Sequence, residues 1–300
     1  MTVLSRRRFL SISAACMALP AGAKAAPVAH WRGTALGARA SLQLSGLTDD
    51  EARPVISAIE AELHRLENIF SLYRPDSELS RLNRDGMLTA PAPELLNVLS
   101  LCSALHDASG GVFDPSVQPL WLALASGADE SVISSARQLV GWHQVTVTAD
   151  HILLPQPGVS ALTLNGIAQG AITDRIADLL RSMGLGNVLV DMGEIAAIGA
   201  NADGRHWRVG LAGPDGAVLK RIGISDRAVA TSAPGGTILK DGQGHILSPD
   251  GSKPLHRAVS VSAPRAAIAD GLSTALCLIP KTRVDTVLDR FPGSRIEMMI

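Results

Sequence analysis

Two hydrophobic periods alternate along this chain without settling into a repeated strand–helix–strand unit. That irregular alternation is what most limits the folds open to it. Over Asp49–Phe70 the apolar positions Val55, Ile56, Ile59, Leu63, Leu66 and Ile69 recur at helical spacing. Asp49, Asp50 and Glu51 place carboxylates where a helix N-terminus favours them. Residues 38–44 alternate small or apolar with polar side chains and predict a strand. Further helices are predicted over residues 93–108, 129–140, 171–183 (stopped by Gly184), 268–279 and 284–291. Strands are predicted over 144–147, 152–154, 162–165, 187–192, 207–211, 221–224, 228–231, 258–262 and 295–300. No internal repeat or low-complexity linker interrupts this order. Strands and helices mixed in this way predict an α+β fold with mixed, largely antiparallel sheets flanked by helices.

The first residues read differently. Ser5-Arg6-Arg7-Arg8-Phe9-Leu10 is followed by a short apolar run, Ile12 to Leu19, and by an Ala-x-Ala site at Ala23-Lys24-Ala25. This is a basic region, an apolar region and a cleavage site in order. The paired arginines before Phe-Leu predict a twin-arginine signal peptide over residues 1–25 and a periplasmic enzyme domain over 26–300. A general secretory signal is the plainer alternative. Cys16 suggests a lipoprotein, but Ser13 stands where a lipobox wants an aliphatic residue. The apolar run is far short of the roughly 20 residues that span a bilayer, so no membrane anchor is expected after signal removal.

At 46% hydrophobic and 18% charged residues, the chain can bury a substantial core. A formal net charge of −1, with no basic block after the leader, argues against nucleic-acid binding. No Cys/His cluster has zinc-ligand spacing. Cys102 and Cys277 lie in helix-like apolar runs, where buried thiols are the expectation; an oxidising compartment would also permit a disulfide.

Three polar or glycine-rich stretches interrupt the apolar elements. Asn165-Gly166-Ile167-Ala168-Gln169-Gly170 lies between a strand pattern and a helix pattern. Glycines there let backbone approach a ligand, and a helix N-terminus offers free N–H groups to phosphate; a plain structural turn has the same composition. In Ala269-Asp270-Gly271-Leu272-Ser273-Thr274-Ala275, Asp270 and Thr274 are four apart and share one helix face. Such oxygen donors suit Mg²⁺, although packing explains them equally well in isolation. Thr231-Ser232-Ala233 and Gly244-His245-Ile246-Leu247-Ser248-Pro249 add hydroxyls and one imidazole that could orient a nucleophile or a leaving group. A lone histidine is more often structural.

Over nearly its whole length after the leader, the chain resembles the ApbE family of FAD:protein FMN transferases. The resemblance rests on Tyr73-Arg74-Pro75-Asp76-Ser77-Glu78-Leu79-Ser80-Arg81-Leu82-Asn83 and on Gly111-Val112-Phe113-Asp114-Pro115-Ser116-Val117-Gln118-Pro119-Leu120. It continues through Gly166–Gly170, Val190-Asp191-Met192-Gly193-Glu194, Ala230-Thr231-Ser232, His245-Ile246-Leu247 and Ala269–Ala275, seven blocks in the family's order. It implies an enzyme that binds FAD and Mg²⁺ and moves FMN onto a Ser or Thr of an acceptor protein, releasing AMP. It further implies Asp270, Thr274 and the Gly166 carbonyl as metal ligands with Ser273 close by. Tyr73, Val112, Phe113 and Asp114 would line the flavin site, with Thr163, Gln169 and Ile246 near the dinucleotide. Arg32 takes the place where members often carry Met against the flavin. His245 would sit near the reacting phosphate, and either it or Asp270 would be the base for the acceptor hydroxyl.

The chain also departs from the family pattern. Many members have Lys at Gln169, a second Gly at Glu194, Asp at Thr163, Gly at Ala233 and Asp at Ser248. These changes alter charge around the site and leave the metal pair in place. Gln169, Gly193-Glu194 and the leader resemble the NosX branch, periplasmic accessory proteins of nitrous-oxide respiration, which implies a membrane-anchored, NosR-like acceptor flavoprotein. Two other readings stay open: a non-catalytic FAD-binding accessory protein or flavin donor, and an FAD pyrophosphatase in which water replaces the acceptor hydroxyl.

Overall fold

In the computed structural model, which describes residues 26–300, the chain opens with a hairpin of β1 (Val28–Ala35) and β2 (Ala38–Ser45). The expected leader, residues 1–25 with Cys16, lies outside the described residues. Next comes α1 (Asp49–Phe70), with the bounds its periodicity predicts. Thr48 caps it reciprocally: its hydroxyl accepts from Glu51 N–H and the Glu51 carboxylate accepts from Thr48 N–H. The polar motif that follows is largely architectural. Ser77 caps α2 (Glu78–Asp85) and its hydroxyl donates to the Ser71 carbonyl at 2.5 Å, while the Glu78 carboxylate accepts from Ala92 N–H just before α3 (Pro93–Ser109). Between these helices runs β3 (Met87–Thr89).

A helical pair, the apolar α4 (Gln118–Ser126) and the amphipathic α5 (Glu130–Gln138), precedes the short strands β4 (Thr146–Val147) and β5 (His151–Leu153), which join β3 in a small sheet of order β3-β5-β4. The strand expected over residues 162–165 does not form. Its backbone is satisfied elsewhere: Asn83 holds Leu162 N–H and C=O through its amide at 2.7 and 2.8 Å, and Thr163 N–H donates to the Pro115 carbonyl. The next helix, α6 (Ala168–Ser182), starts three residues earlier than expected and takes Gln169 and Gly170 into its first turn.

The remaining elements add five strands to a seven-stranded sheet begun by β1 and β2, along with a separate two-stranded ribbon and two helices. They are β6 (Val188–Asp191), β7 (Ile195–Ile198), β8 (Trp207–Ala212), β9 (Val218–Ile224), β10 (Arg227–Ser232), β11 (Val259–Ala263), α7 (Ala266–Leu276), α8 (Val284–Leu288) and β12 (Arg295–Met299). The sheet order is β1-β2-β6-β7-β10-β11-β12, and every strand pairing among the described residues is antiparallel. Strand alternation sends neighbouring residues to opposite faces. Val188, Val190, Ala196 and Ile198 join the core formed with helices α1, α3, α6 and α7. Leu189, Ile195, Ala197 and Val229 instead pack against the β8–β9 ribbon through Trp207, Val209, Leu211 and Ile224.

The contact of α6 with α7 is the one that matters for the site. A Cβ on Gly170 would come within 2.5 Å of the Ala266 carbonyl, so only glycine allows this approach. Asp174, one turn further along α6, caps α7: its two carboxylate oxygens accept from Ala266 N–H at 2.7 Å and Ala267 N–H at 3.0 Å. Arg265 ties the same corner down by ion pairs to Asp178 and Asp174. Among the described residues no helix is long and apolar enough to cross a membrane.

Candidate active site

Glycine at 170 and the Asp174 cap hold α7 in register against the first turn of α6. As a result Asp270, the fifth residue of α7, accepts from Gly170 N–H through Oδ2 at 3.0 Å. Asp270 is buried, and burial pushes its carboxyl up to about 7 against the opposing pull of that N–H, with the Asp174 charge adding to the rise. Thr274, one turn on, reaches the same cavity. Its hydroxyl lies 3.0 Å from the Ser232 hydroxyl at the end of β10, and Ser232 also bonds the Ser273 hydroxyl at 2.8 Å. Ser273 is fully buried and donates to the Asp270 carbonyl, so it braces the donors from behind. Gly166 closes the group. A Cβ there would fall 2.9 Å from Thr274 Cγ2 and 3.0 Å from Oγ1, so the bare backbone is what leaves room for the threonine.

These residues form one end of a cavity of about 1200 Å³. That exceeds the roughly 300–1,000 Å³ of small-molecule pockets and leaves room for a dinucleotide and an incoming side chain. The cavity is walled by Val112, Phe113, Asp114 and Thr163, by Gln169, and by His245 and Ile246. Its far wall is the polar face of the first hairpin: His30 and Arg32 from β1, Arg39, Ser41 and Gln43 from β2. Arg32 and Arg39 have no ion pair among the described residues and present unneutralised positive charge to an anionic ligand.

Eleven of the residues singled out from sequence therefore meet around one space: Arg32, Val112, Phe113, Asp114, Thr163, Gly166, Gln169, His245, Ile246, Asp270 and Thr274. Ser273 lies behind the wall, and Tyr73, 66% exposed on the loop after α1, is not among the lining residues. Asp114 is committed to the protein: its carboxylate accepts from Ser116 N–H and hydroxyl and from Trp142 N–H. His245 is oriented by the Pro234 carbonyl, which accepts from Nδ1 at 3.0 Å, so in the neutral ring Nδ1 carries the proton.

Sequence reasoning assigned no specific role to five contributors. Ser232 was legible only as part of a hydroxyl-rich stretch. Arg39, Ser41 and the polar hairpin face carry a period-two signal that marks a face without saying what covers it. Asp191, at the end of β6, and Glu194, just before β7, show in the sequence only as members of a family block, Glu194 also as a departure from it; their place at the site shows only in the fold. Burial lifts Asp191 to about 6 against the pull of Gly193 N–H. Burial, then the charges of Asp270 and Asp191, push Glu194 well above the usual range against one backbone N–H from Thr231.

A hard divalent cation suits this donor set. One carboxylate, two or three hydroxyls and a backbone carbonyl are oxygen donors of the kind Mg²⁺ accepts while keeping waters or phosphate oxygens for its other positions. Among the described residues no group of three or more His, Cys, Asp or Glu side chains is placed to hold a metal, so a cation here would rest on the mixed carboxylate, hydroxyl and carbonyl donors.

The ApbE family profile matches residues 36–300. The FAD:protein FMN transferase of Vibrio cholerae is 28% identical over 300 aligned residues, covering 92% of this chain and 89% of that protein. The Treponema pallidum FAD:protein FMN transferase is 30% identical, covering 81% and 76%. Among solved structures, the flavin transferase ApbE from Vibrio cholerae superposes with a TM-score of 0.78 at 26% identity, over 91% of this chain and 94% of the other. The apo Pseudomonas stutzeri flavinyl transferase ApbE gives 0.74 at 27% identity, over 86% and 87%. Matched along almost all its described length in sequence and in fold, this chain belongs to the ApbE family, and it is a transferase.

Proposed function

We propose that the chain is a Mg²⁺-dependent FAD:protein FMN transferase that attaches FMN to a Ser or Thr of an acceptor protein and releases AMP. The observation that carries the reading is the convergence of Asp270, Thr274 and Gly166, held by the α6–α7 contact, at one end of a cavity large enough for a dinucleotide. Asp270, Thr274 and the Gly166 carbonyl would hold Mg²⁺, with Ser232 and Ser273 fixing the threonine. The cation supplies neutralisation of phosphate oxygens, the main demand of phosphoryl transfer.

The protein's own groups do the rest. Arg32 and Arg39 attract and orient the anionic dinucleotide. Phe113 and Val112 offer apolar surface to its flavin, with Ile246 beside them. The acceptor hydroxyl oxygen bonds to the phosphorus on the FMN side of the pyrophosphate. The P–O bond to the AMP phosphate breaks, and AMP leaves with the electron pair. The hydroxyl proton passes to His245 Nε2, the better base here because Asp270 already accepts from Gly170 N–H and would be a ligand of the cation. Export of residues 26–300 by the leader and a membrane-anchored, NosR-like acceptor of nitrous-oxide respiration belong to the same proposal. They are supported by the twin-arginine pattern and by the Gln169 and Glu194 departures.

Mass spectrometry of an acceptor domain after incubation with the protein, FAD and Mg²⁺ tests the reading. An FMN adduct on one Ser or Thr that is lost with Asp270→Asn is expected. Free FMN and AMP formed equally well without acceptor would make the protein a pyrophosphatase instead. FAD that stays bound and intact would make it an accessory flavin carrier.

A further inference from the structure

We propose that Glu194 is a ligand of the divalent cation held at Asp270, so that the cation site of this chain contains two carboxylates. The inference rests on the cation reading given above and adds to it a residue that the resemblance marks only as a departure.

Glu194 is 7% exposed and lines the cavity together with Gly166, Gln169, Asp270 and Thr274. Its backbone cannot drift, because its carbonyl accepts from Met192 N–H and from the Thr173 hydroxyl of α6, each at 3.1 Å. One carboxylate oxygen, Oε2, is buried and has no hydrogen-bond partner. Buried polar atoms are nearly always satisfied, and a charged one left unpaired is the costliest case.

The surroundings offer nothing to neutralise it. From α6 it meets Gln169 and Thr173, from α7 Asp270, from β6 Asp191 and from β10 the Thr231 N–H. None of these is cationic, and two are themselves carboxyl groups. Gln169, where a lysine would supply the missing charge, is a neutral amide laid over Gly193, whose absent Cβ would come within 2.2 Å of Nε2. A proton on Oε2 would cancel its own charge without bringing any cation to the neighbouring Asp270 and Asp191. A divalent cation between Glu194 and Asp270 satisfies the orphan oxygen and balances both charges. Mg²⁺ commonly takes one or two carboxylates in this way.

Mn²⁺ serves as the probe, with its free aquo ion read by electron paramagnetic resonance in titrations of the full chain, without and with FAD. Wild type is expected to bind one ion that Mg²⁺ displaces. Glu194→Gln is expected to weaken Mn²⁺ binding at least fivefold while melting at or above the wild-type temperature in EDTA, because it removes a buried charge of the same shape. A weakening of less than fivefold overturns the assignment of Glu194 alone. Absence of Mn²⁺ binding by wild type overturns the cation reading as a whole, so the two failures are told apart. If Glu194→Gln does not fold, Glu194→Asp keeps the charge and shortens its reach by one methylene. A loss of fivefold or more then supports the contact, and a smaller change refutes it.

Discussion

Replacing Gly166 by alanine tests how the site is built. The added methyl would stand 2.9 Å from Thr274 Cγ2, 3.0 Å from Oγ1 and 3.3 Å from Cβ. Carbon atoms pack best at about 3.5–4.0 Å, so the overlap is roughly half an ångström or more. Gly166 is not among the residues with positive φ, so backbone strain contributes nothing and the effect is steric. Thr274 cannot turn aside cheaply. Its branched side chain is stiff about χ1, and its hydroxyl is tied to Ser232 at 3.0 Å. Overpacking of this kind costs about 1–3 kcal/mol.

Gly166→Ala should therefore lose that much stability in urea titration and most of its Mg²⁺-dependent flavin transfer, since the threonine is displaced from the cation. Thr274→Ser alone deletes one methyl and should cost about 1 kcal/mol. In the double variant the 2.9 Å contact no longer exists, so much of the Gly166→Ala penalty should return as a coupling energy of about 1 kcal/mol or more. Additive losses in the double variant, or a Gly166→Ala protein with unchanged stability and rate, would refute this account of the glycine.

Three other outcomes follow from the same geometry. Asp191 is lifted from its ordinary 3.8 to about 6, so the folded state holds its proton more tightly; the associated stability is full below about pH 4 and is lost as pH rises through about 6. Asp191→Asn should flatten metal-free stability across that window, by up to about 3 kcal/mol relative to wild type, and identical pH profiles by urea titration would contradict it. Asp174→Ala removes the cap of α7, and chemical denaturation should show a loss of about 2–4 kcal/mol from the lost cap and two unpaired N–H groups; a loss below about 0.5 kcal/mol would dismiss the cap. Cys102 and Cys277 are free and fully buried, with both thiols pushed up by burial, the latter to about 12. Iodoacetamide at pH 8 should label neither in the folded protein and both in urea, and rapid native labelling of either would be inconsistent with this packing.

Much of the architecture was legible because local signals agreed with the final packing. In α1 the apolar stripe, the acidic first turn and the Thr48–Glu51 cap all point one way, and its bounds were recovered as they stand. Elements escaped where tertiary contacts replaced periodicity. α4 is apolar on nearly every side, and β7 is buried on both faces, so neither shows a stripe or an alternation to read. α6 begins early because the close approach of α7 outweighs the poor helix propensity of Gly170. The strand expected at 162–165 was lost to the Asn83 amide, a partner 79 positions away.

The site divides in the same way. The linear order of motifs was enough to point to the family, and with it to eleven of the residues that line the cavity, though not to the exposed Tyr73 or the Ser273 behind the wall; the eleven sit in short segments whose chemistry shows in one dimension. The burial of Glu194 beside Asp270, the hydroxyl bridge through Ser232 and the guanidinium face of the first hairpin were decided only by folding. Each depends on desolvation and on distances between segments far apart in the chain, quantities that a string of residue types does not contain.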